Sequence, residues 1–251
     1  MTSSQDRQKA LYEQIHDDYS RNLYDERSME YRDRFIHEPM FAGLDLDGRR
    51  LGELMCGDGP ATEFAKRRWP SVRCQGYDIS PRACAAYTER TGFPAHSFDI
   101  ITAPLPTSAF DVIAIVGGLH HVVGDLDPVI RNIHQALAPG GILTMMEPNR
   151  DYVLESVRRL WYRFDKYFDE TAEAALSYPD LRARFHAMFD ERRVDYRGGP
   201  AYFLVLMNMV FRIPGSWKGA YSPALMQLER VWTKMPTPYS KAFFVAQWAK
   251  R

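Results

Sequence analysis

Cysteine is scarce in this chain. Only Cys56, Cys74 and Cys84 carry thiols among 251 residues. The odd number and the lack of a Cys-x-x-Cys pair exclude a disulfide framework and a thiolate metal site, and predict reduced cytoplasmic thiols. An excess of either charge is also missing, since Lys plus Arg and Asp plus Glu both number 32. Without a basic surplus there is little counterion release to drive binding to nucleic acid, which is therefore not the expected partner. No apolar run approaches the ~20 residues that cross a bilayer. The longest, residues 201–211, reads as a buried helix or as a surface for a lipid-like or aromatic tail, which leaves peripheral membrane contact open. Residues 1–7 are polar and lack the apolar segment of a signal peptide. These absences predict a cytoplasmic protein with no transmembrane segment; oligomeric state is not legible.

What is present is an ordinary globular composition, 45% hydrophobic and 25% charged, enough to bury a large core. Residues 50–55 form a short apolar run that breaks into a glycine turn and a helix start. Residues 72–78 read as a second strand. Ser80-Pro81 then supplies an N-cap with proline at the first helical position, and Gly92 ends that helix. Residues 110–116 are the continuous apolar run expected of a strand covered on both faces. Asp127-Pro128 opens a helix whose Val129, Ile130, Ile133 and Leu137 share a face, and Pro139-Gly140-Gly141 stops it before a strand at 142–146. Strands are also predicted at 192–197 and 242–249.

Alternation of this kind predicts an α/β fold: a doubly wound, Rossmann-like, seven-stranded, mostly parallel sheet with an antiparallel last strand and helical lid insertions. The whole chain, 1–251, reads as one domain. Residues 1–45, with Leu11, Ile15 and Tyr19 at helical spacing, form an N-terminal helical lid; residues 46–150 form the ligand-binding core; residues 151–251 add lid insertions and the C-terminal strands. Ligands of such sheets bind beyond the strands' C-terminal ends.

Chemistry concentrates at that edge. Gly57-x-Gly59 sits where a strand meets a helix, so backbone can approach a ligand closely and helix N–H groups face it. Asp78 ends the next strand, where a carboxylate can accept from both ribose hydroxyls. Together they indicate an adenosine-containing cofactor. Thr62 stands where a dinucleotide reader would carry a third glycine, which disfavours a nicotinamide-dependent oxidoreductase.

The stretch Glu53-Leu-Met-Cys-Gly57-Asp-Gly59 resembles the first motif of class I S-adenosylmethionine-dependent methyltransferases. The resemblance extends, in order, through Gly76-Tyr-Asp78-Ile79-Ser80, Ser97-Phe-Asp99-Ile100, Phe110-Asp-Val-Ile, Leu119-His120-His121-Val122 and Leu137-Ala-Pro-Gly-Gly-Ile-Leu, covering about residues 48–148. It implies that S-adenosylmethionine is the cofactor. Glu53 and the Gly57 and Gly59 backbone would hold its methionine end, Asp78 the ribose, and Ile79 would pack on adenine, whose amino group Asp99 would accept. Met55, Ile100 and Val116 would complete the cofactor surroundings, Met55 standing where the family usually has glycine. Asp99 equally suits a loop carboxylate capping a turn ahead of Pro104.

Methyl transfer is an in-line displacement, so alignment of acceptor and methyl supplies much of the rate. A base is needed only where the acceptor must lose a proton. His120 and His121 follow the central strand, and an intrinsic pKa of about 6.5 suits proton removal near neutrality; a polar pair in such a loop can also simply shape it. The aromatic segment from Trp161 to Phe168 predicts packing onto the core or contact with a small, partly apolar acceptor. Tyr24, Arg27, Tyr31 and Arg34 resemble a segment that folds over the cofactor in small-molecule members of the family. A cofactor-binding scaffold or regulator without transfer chemistry is the rival from another class.

Overall fold

A computed structural model of the chain describes residues 24–155, 174–208, 215–235 and 237–251. Its sheet has seven strands in the order β3-β2-β1-β4-β5-β7-β6. They are β1 (Arg50–Leu54), β2 (Arg73–Asp78), β3 (Ala95–Ser97), β4 (Phe110–Val116), β5 (Leu137–Pro148), β6 (Phe189–Arg197) and β7 (Phe243–Lys250). Strands β1 to β5 run parallel, and β7 lies antiparallel between β5 and β6. Two successive reversals leave β6 pointing the same way as β1 to β5, so its C-terminal end, at Arg197, opens on the ligand edge.

Side-chain alternation along the strands builds two cores. Val112, Ala114, Ile142 and Val245 face one side and pack under α1 (Glu26–Arg32), which runs on through a π-helical turn (Asp33–His37), and under α2 (Pro60–Arg68). Ile113, Ile115, Leu143, Met145 and Ala246 face the other, under α4 (Leu126–Ala136) and α5 (Tyr178–Phe185). Between β2 and β3, α3 (Pro81–Thr91) has the predicted ends: Ser80 accepts from the Ala83 N–H, and Gly92 closes the helix in the left-handed region.

Two boundaries differ from the sequence reading. Leu137 is already extended and pairs with Phe110, so Pro139-Gly140-Gly141 is an irregularity within β5 rather than a loop ahead of it. The strand also runs past Met146 through Glu147 to Pro148, because β7 supplies partners for those residues. Of residues 201–211, Tyr202–Leu206 form a single π-helical turn with Tyr202, Val205 and Leu206 buried. The segments 1–23 and Trp161 to Phe168, expected to contribute to lids, lie outside the described residues. Among the described residues no helix is long and apolar enough to cross a membrane. The three cysteines are buried and unpaired, and no group of metal-ligating side chains occurs among the described residues.

The turn that leaves β6 is held from a distance. Glu229, buried on α6 (Gly215–Thr233), accepts from the Gly199 N–H at 2.7 Å, the Ala201 N–H at 2.9 Å and the Tyr31 hydroxyl at 3.0 Å. One carboxylate thus ties α1, α6 and the end of β6. Glu229→Gln turns one acceptor into a donor that faces donors, and is expected to cost roughly 2 to 3 kcal/mol in urea unfolding, whereas Tyr31→Phe, which removes one donor, is expected to cost about 1 kcal/mol.

Candidate functional site at the carboxyl edge of the sheet

The ends of β1, β2 and β4 converge on one crevice. Beyond β1 the backbone turns through Met55, Gly57 and Gly59 with φ of 53°, 49° and 77°. At Gly59 a side chain is doubly excluded: the left-handed φ disfavours it, and a Cβ would lie 2.5 Å from Tyr87 Cδ2. Glycine at this position therefore lets the loop pack closely against α3 where α2 begins. Asp78, ending β2, accepts from the Gly57 N–H at 3.0 Å through one oxygen and from the Ser80 N–H at 2.9 Å through the other. That fixes the carboxylate beside the glycine turn.

Glu53 is not in the crevice wall. Its side chain is buried, and its carboxylate accepts from Thr62 N–H at 2.8 Å and Ala61 N–H at 3.4 Å, under the first turn of α2. Burial pushes its carboxyl up to about 7, against the pull of those hydrogen bonds. Met55 reaches across from β1 to β4: a Cβ at Gly118 would meet the Met55 Sδ at 2.3 Å, so only glycine admits this contact. Val116 ends β4, half-buried, and Ile79 follows Asp78. Ile100 turns into the core with Leu54 and Tyr77. Asp99 accepts from the Ile101 N–H at 3.0 Å and the Thr102 hydroxyl at 2.8 Å, the turn-capping geometry that its position before Pro104 allows.

His120 and His121 occupy a short 3₁₀ turn after β4, with ring centroids 3.9 Å apart. Sequence reasoning missed what holds them. Glu147, fully buried at the end of β5, takes the Gly118 N–H at 2.9 Å and the Leu119 N–H at 2.7 Å on one oxygen. Its other oxygen receives the His120 N–H at 3.3 Å and His120 Nδ1 at 2.9 Å. When Glu147 is ionised it accepts, so that Nδ1 carries the ring proton and Nε2 is the ring's acceptor. Burial raises the Glu147 carboxyl to about 7. Desolvation, followed by the neighbouring His120, holds His121 well below the ordinary histidine value. The available signal was an acidic residue directly after the apolar run at 142–146.

The site thus offers a glycine turn at the start of α2, a carboxylate fixed beside it, and an imidazole held by Glu147 after β4. A glycine turn at a helix start, with Asp78 fixed beside it, fits the adenosyl cofactor expected from sequence.

Comparison with known proteins follows the same lines. Residues 53–143 match a family described as "Methyltransferase domain". A trans-aconitate 2-methyltransferase of Rhodopseudomonas palustris (strain BisB18) is 34% identical over 129 residues, which make up 50% of this chain and 46% of the relative. The chain therefore spans about half the length of the curated relatives it matches. Among solved structures, an S-adenosylmethionine-dependent methyltransferase of Thermotoga maritima, described as a possible histamine N-methyltransferase, superposes with a TM-score of 0.67 at 15% identity, over 96% of this chain and 99% of that one. An N-methyltransferase of Bradyrhizobium japonicum WM9, solved with S-adenosyl-l-homocysteine, gives a TM-score of 0.60 at 14% identity, over 96% and 98% of the two chains. These two share the fold.

Because the folded chain binds a proton at Glu53 that the unfolded chain releases between about pH 4.5 and 7, the associated stability is present at low pH and fades as pH rises through that window. The stability of the wild type relative to Glu53→Gln is expected to fall by up to about 3 kcal/mol from pH 4.5 to 7 in urea titrations; an unchanging difference would refute the neutral buried carboxyl.

Proposed function

Since residues 53–143 match the family described as "Methyltransferase domain", we propose that the chain is an enzyme that binds S-adenosylmethionine at the carboxyl edge of its sheet and transfers the methyl group to a small-molecule acceptor. The observation that carries the reading is the Gly57–Gly59 turn fastened to Asp78. In this reading Asp78 receives the ribose hydroxyls, the loop backbone receives the methionine end, and Ile79 and Asp99 border the adenine. Val116 closes the crevice floor. Glu53 acts from beneath, holding the first turn of α2 against the loop, and Met55 with Gly118 sets the distance between the two strand ends. Ile100 contributes through the core behind them.

When bound, the cofactor supplies an electrophilic methyl group on a sulfonium. The chain's own task is alignment and, where the acceptor is a hydroxyl or amine, removal of one proton. His120, with Nδ1–H donated to Glu147, presents Nε2 as the acceptor of that proton. His121, held neutral by burial, is the second candidate. Tyr152 and Phe203, stacked with centroids 5.9 Å apart, lie in the segments following β5 and β6 and favour an acceptor with an apolar part.

A carboxylate acceptor is the second reading, favoured by the relative's name, trans-aconitate 2-methyltransferase. A carboxylate is already deprotonated near neutrality and needs no base. The two readings therefore differ in what His120→Ala does: with a hydroxyl or amine acceptor, turnover falls about 10²-fold or more at pH 7 while KM changes little, and with a carboxylate it changes by less than tenfold. His121→Ala in parallel identifies which ring takes the proton.

Calorimetric titration with S-adenosylhomocysteine, using NAD as control, tests the cofactor. Micromolar binding that Asp78→Ala weakens at least tenfold is expected; binding of NAD alone, or of neither, would overturn the assignment.

A further inference from the structure

Far from the glycine turn, at the other end of the same sheet edge, four cationic side chains surround a groove of about 450 Å³. Arg34 comes from the π-helical turn that continues α1, Arg197 from the end of β6, and Arg230 and Lys234 from the end of α6 and the residue after it; Glu38 is the one carboxylate in the lining. Strand order separates Arg197 from β4 by three strand spacings, or about 14 Å. Apart from Arg34, which the family resemblance places in a segment that folds over the cofactor, the groove uses none of the residues assigned to the cofactor or to proton removal.

The chain pairs most of its other described arginines well. Arg50 meets Asp111 through two nitrogens at 2.9 and 3.1 Å, and Arg184 meets Asp127 at 2.7 and 2.9 Å. The groove cations are treated differently. Arg197 is largely buried, with 16% of its side chain exposed, its Nε is buried without a hydrogen-bond partner, and its approach to Asp195 is 3.8 Å. Asp195 is already committed to Arg193, and Glu30 divides its two oxygens between Arg27 at 2.9 Å and Arg34 at 3.4 Å. Arg230 reaches only the neutral Gln227, at 3.3 Å. A buried guanidinium nitrogen without a hydrogen-bond partner is costly, and burial lowers the group's affinity for the proton against the pull of Asp195.

We propose that this groove is a second binding site, for a small, multiply charged anion bearing carboxylate or phosphate groups, with Arg197 as its floor and Arg34, Arg230 and Lys234 as its rim. The volume suits a metabolite rather than a polymer. The guanidinium fork of Arg197 matches two oxygens of a carboxylate or phosphate, and the anion supplies the close acceptor that Asp195 gives to Arg193. The site does not rest on the proposed methyl transfer, because binding is read without cofactor or turnover.

The test is calorimetric titration of the full chain with citrate and, separately, with pyrophosphate, at constant ionic strength. Saturable binding of at least one is expected, the preferred anion distinguishing carboxylate from phosphate chemistry. Arg230→Gln/Lys234→Gln, which alters only exposed rim side chains, is expected to weaken that binding at least tenfold while keeping the wild-type melting transition in anion-free buffer. Arg197→Lys keeps the charge but loses the fork, and is expected to weaken it as well. No saturable heat from either anion, or equal affinity in the rim double variant, overturns the site.

Discussion

A strand that ends at a ligand edge must hand its chain to a turn whose backbone N–H groups have lost their sheet partners, and leaving them unpaired inside the protein costs about as much as losing a hydrogen bond. This chain meets that constraint three times in the same way, with a buried glutamate. Glu53 takes the N–H groups at the start of α2, Glu147 those of the turn after β4, and Glu229 those of the turn after β6. Asp78 does the same for Gly57 from a half-buried position. The positions of the glycine turn, the histidine turn and Arg197 all follow from these few carboxylates. Because hydrogen bonds to donors of fixed geometry are directional, each loop is held in register with its neighbour rather than merely attached to it.

The same device gives the site its unusual acids. Carboxylates that serve mainly backbone donors gain little countercharge, so desolvation dominates and Glu53 and Glu147 rise to about 7. Glu147 is therefore both the anchor of the turn and a group sensitive to protonation in contact with His120. The structural role and the electrostatic environment of the imidazole cannot be varied independently.

Much of the frame was legible from local pattern. The apolar run of β4, the Ser80-Pro81 cap, Gly92 and the Gly57–Gly59 turn were visible because each acts within a few residues of itself. The mostly parallel seven-stranded sheet and its antiparallel last strand followed from the family resemblance and from the terminal apolar run. Glu147 and Glu229 were not read, because their partners lie 29 and 30 residues away and a single glutamate carries no periodicity. The strand β5 was read short at both ends since Pro139-Gly140-Gly141 resembles a stop, and since only the β7 partners make Glu147 and Pro148 part of a strand. Ile100 looked like a crevice residue from its place beside Asp99, but packing decided its direction. The groove cations come from three separated segments, and nothing in sequence marks an arginine whose carboxylate neighbours are already engaged.

The interposed position of β7 has a temporal meaning as well. During synthesis β6 is made before β7, yet both of the pairings that attach β6 and close the edge of β5 need residues 243–250. Until those residues leave the ribosome, β5 presents an open edge across an interval of some hundred residues, and the nascent sheet carries its most association-prone feature for as long as that stretch takes to translate. Among the described residues no earlier strand covers that edge.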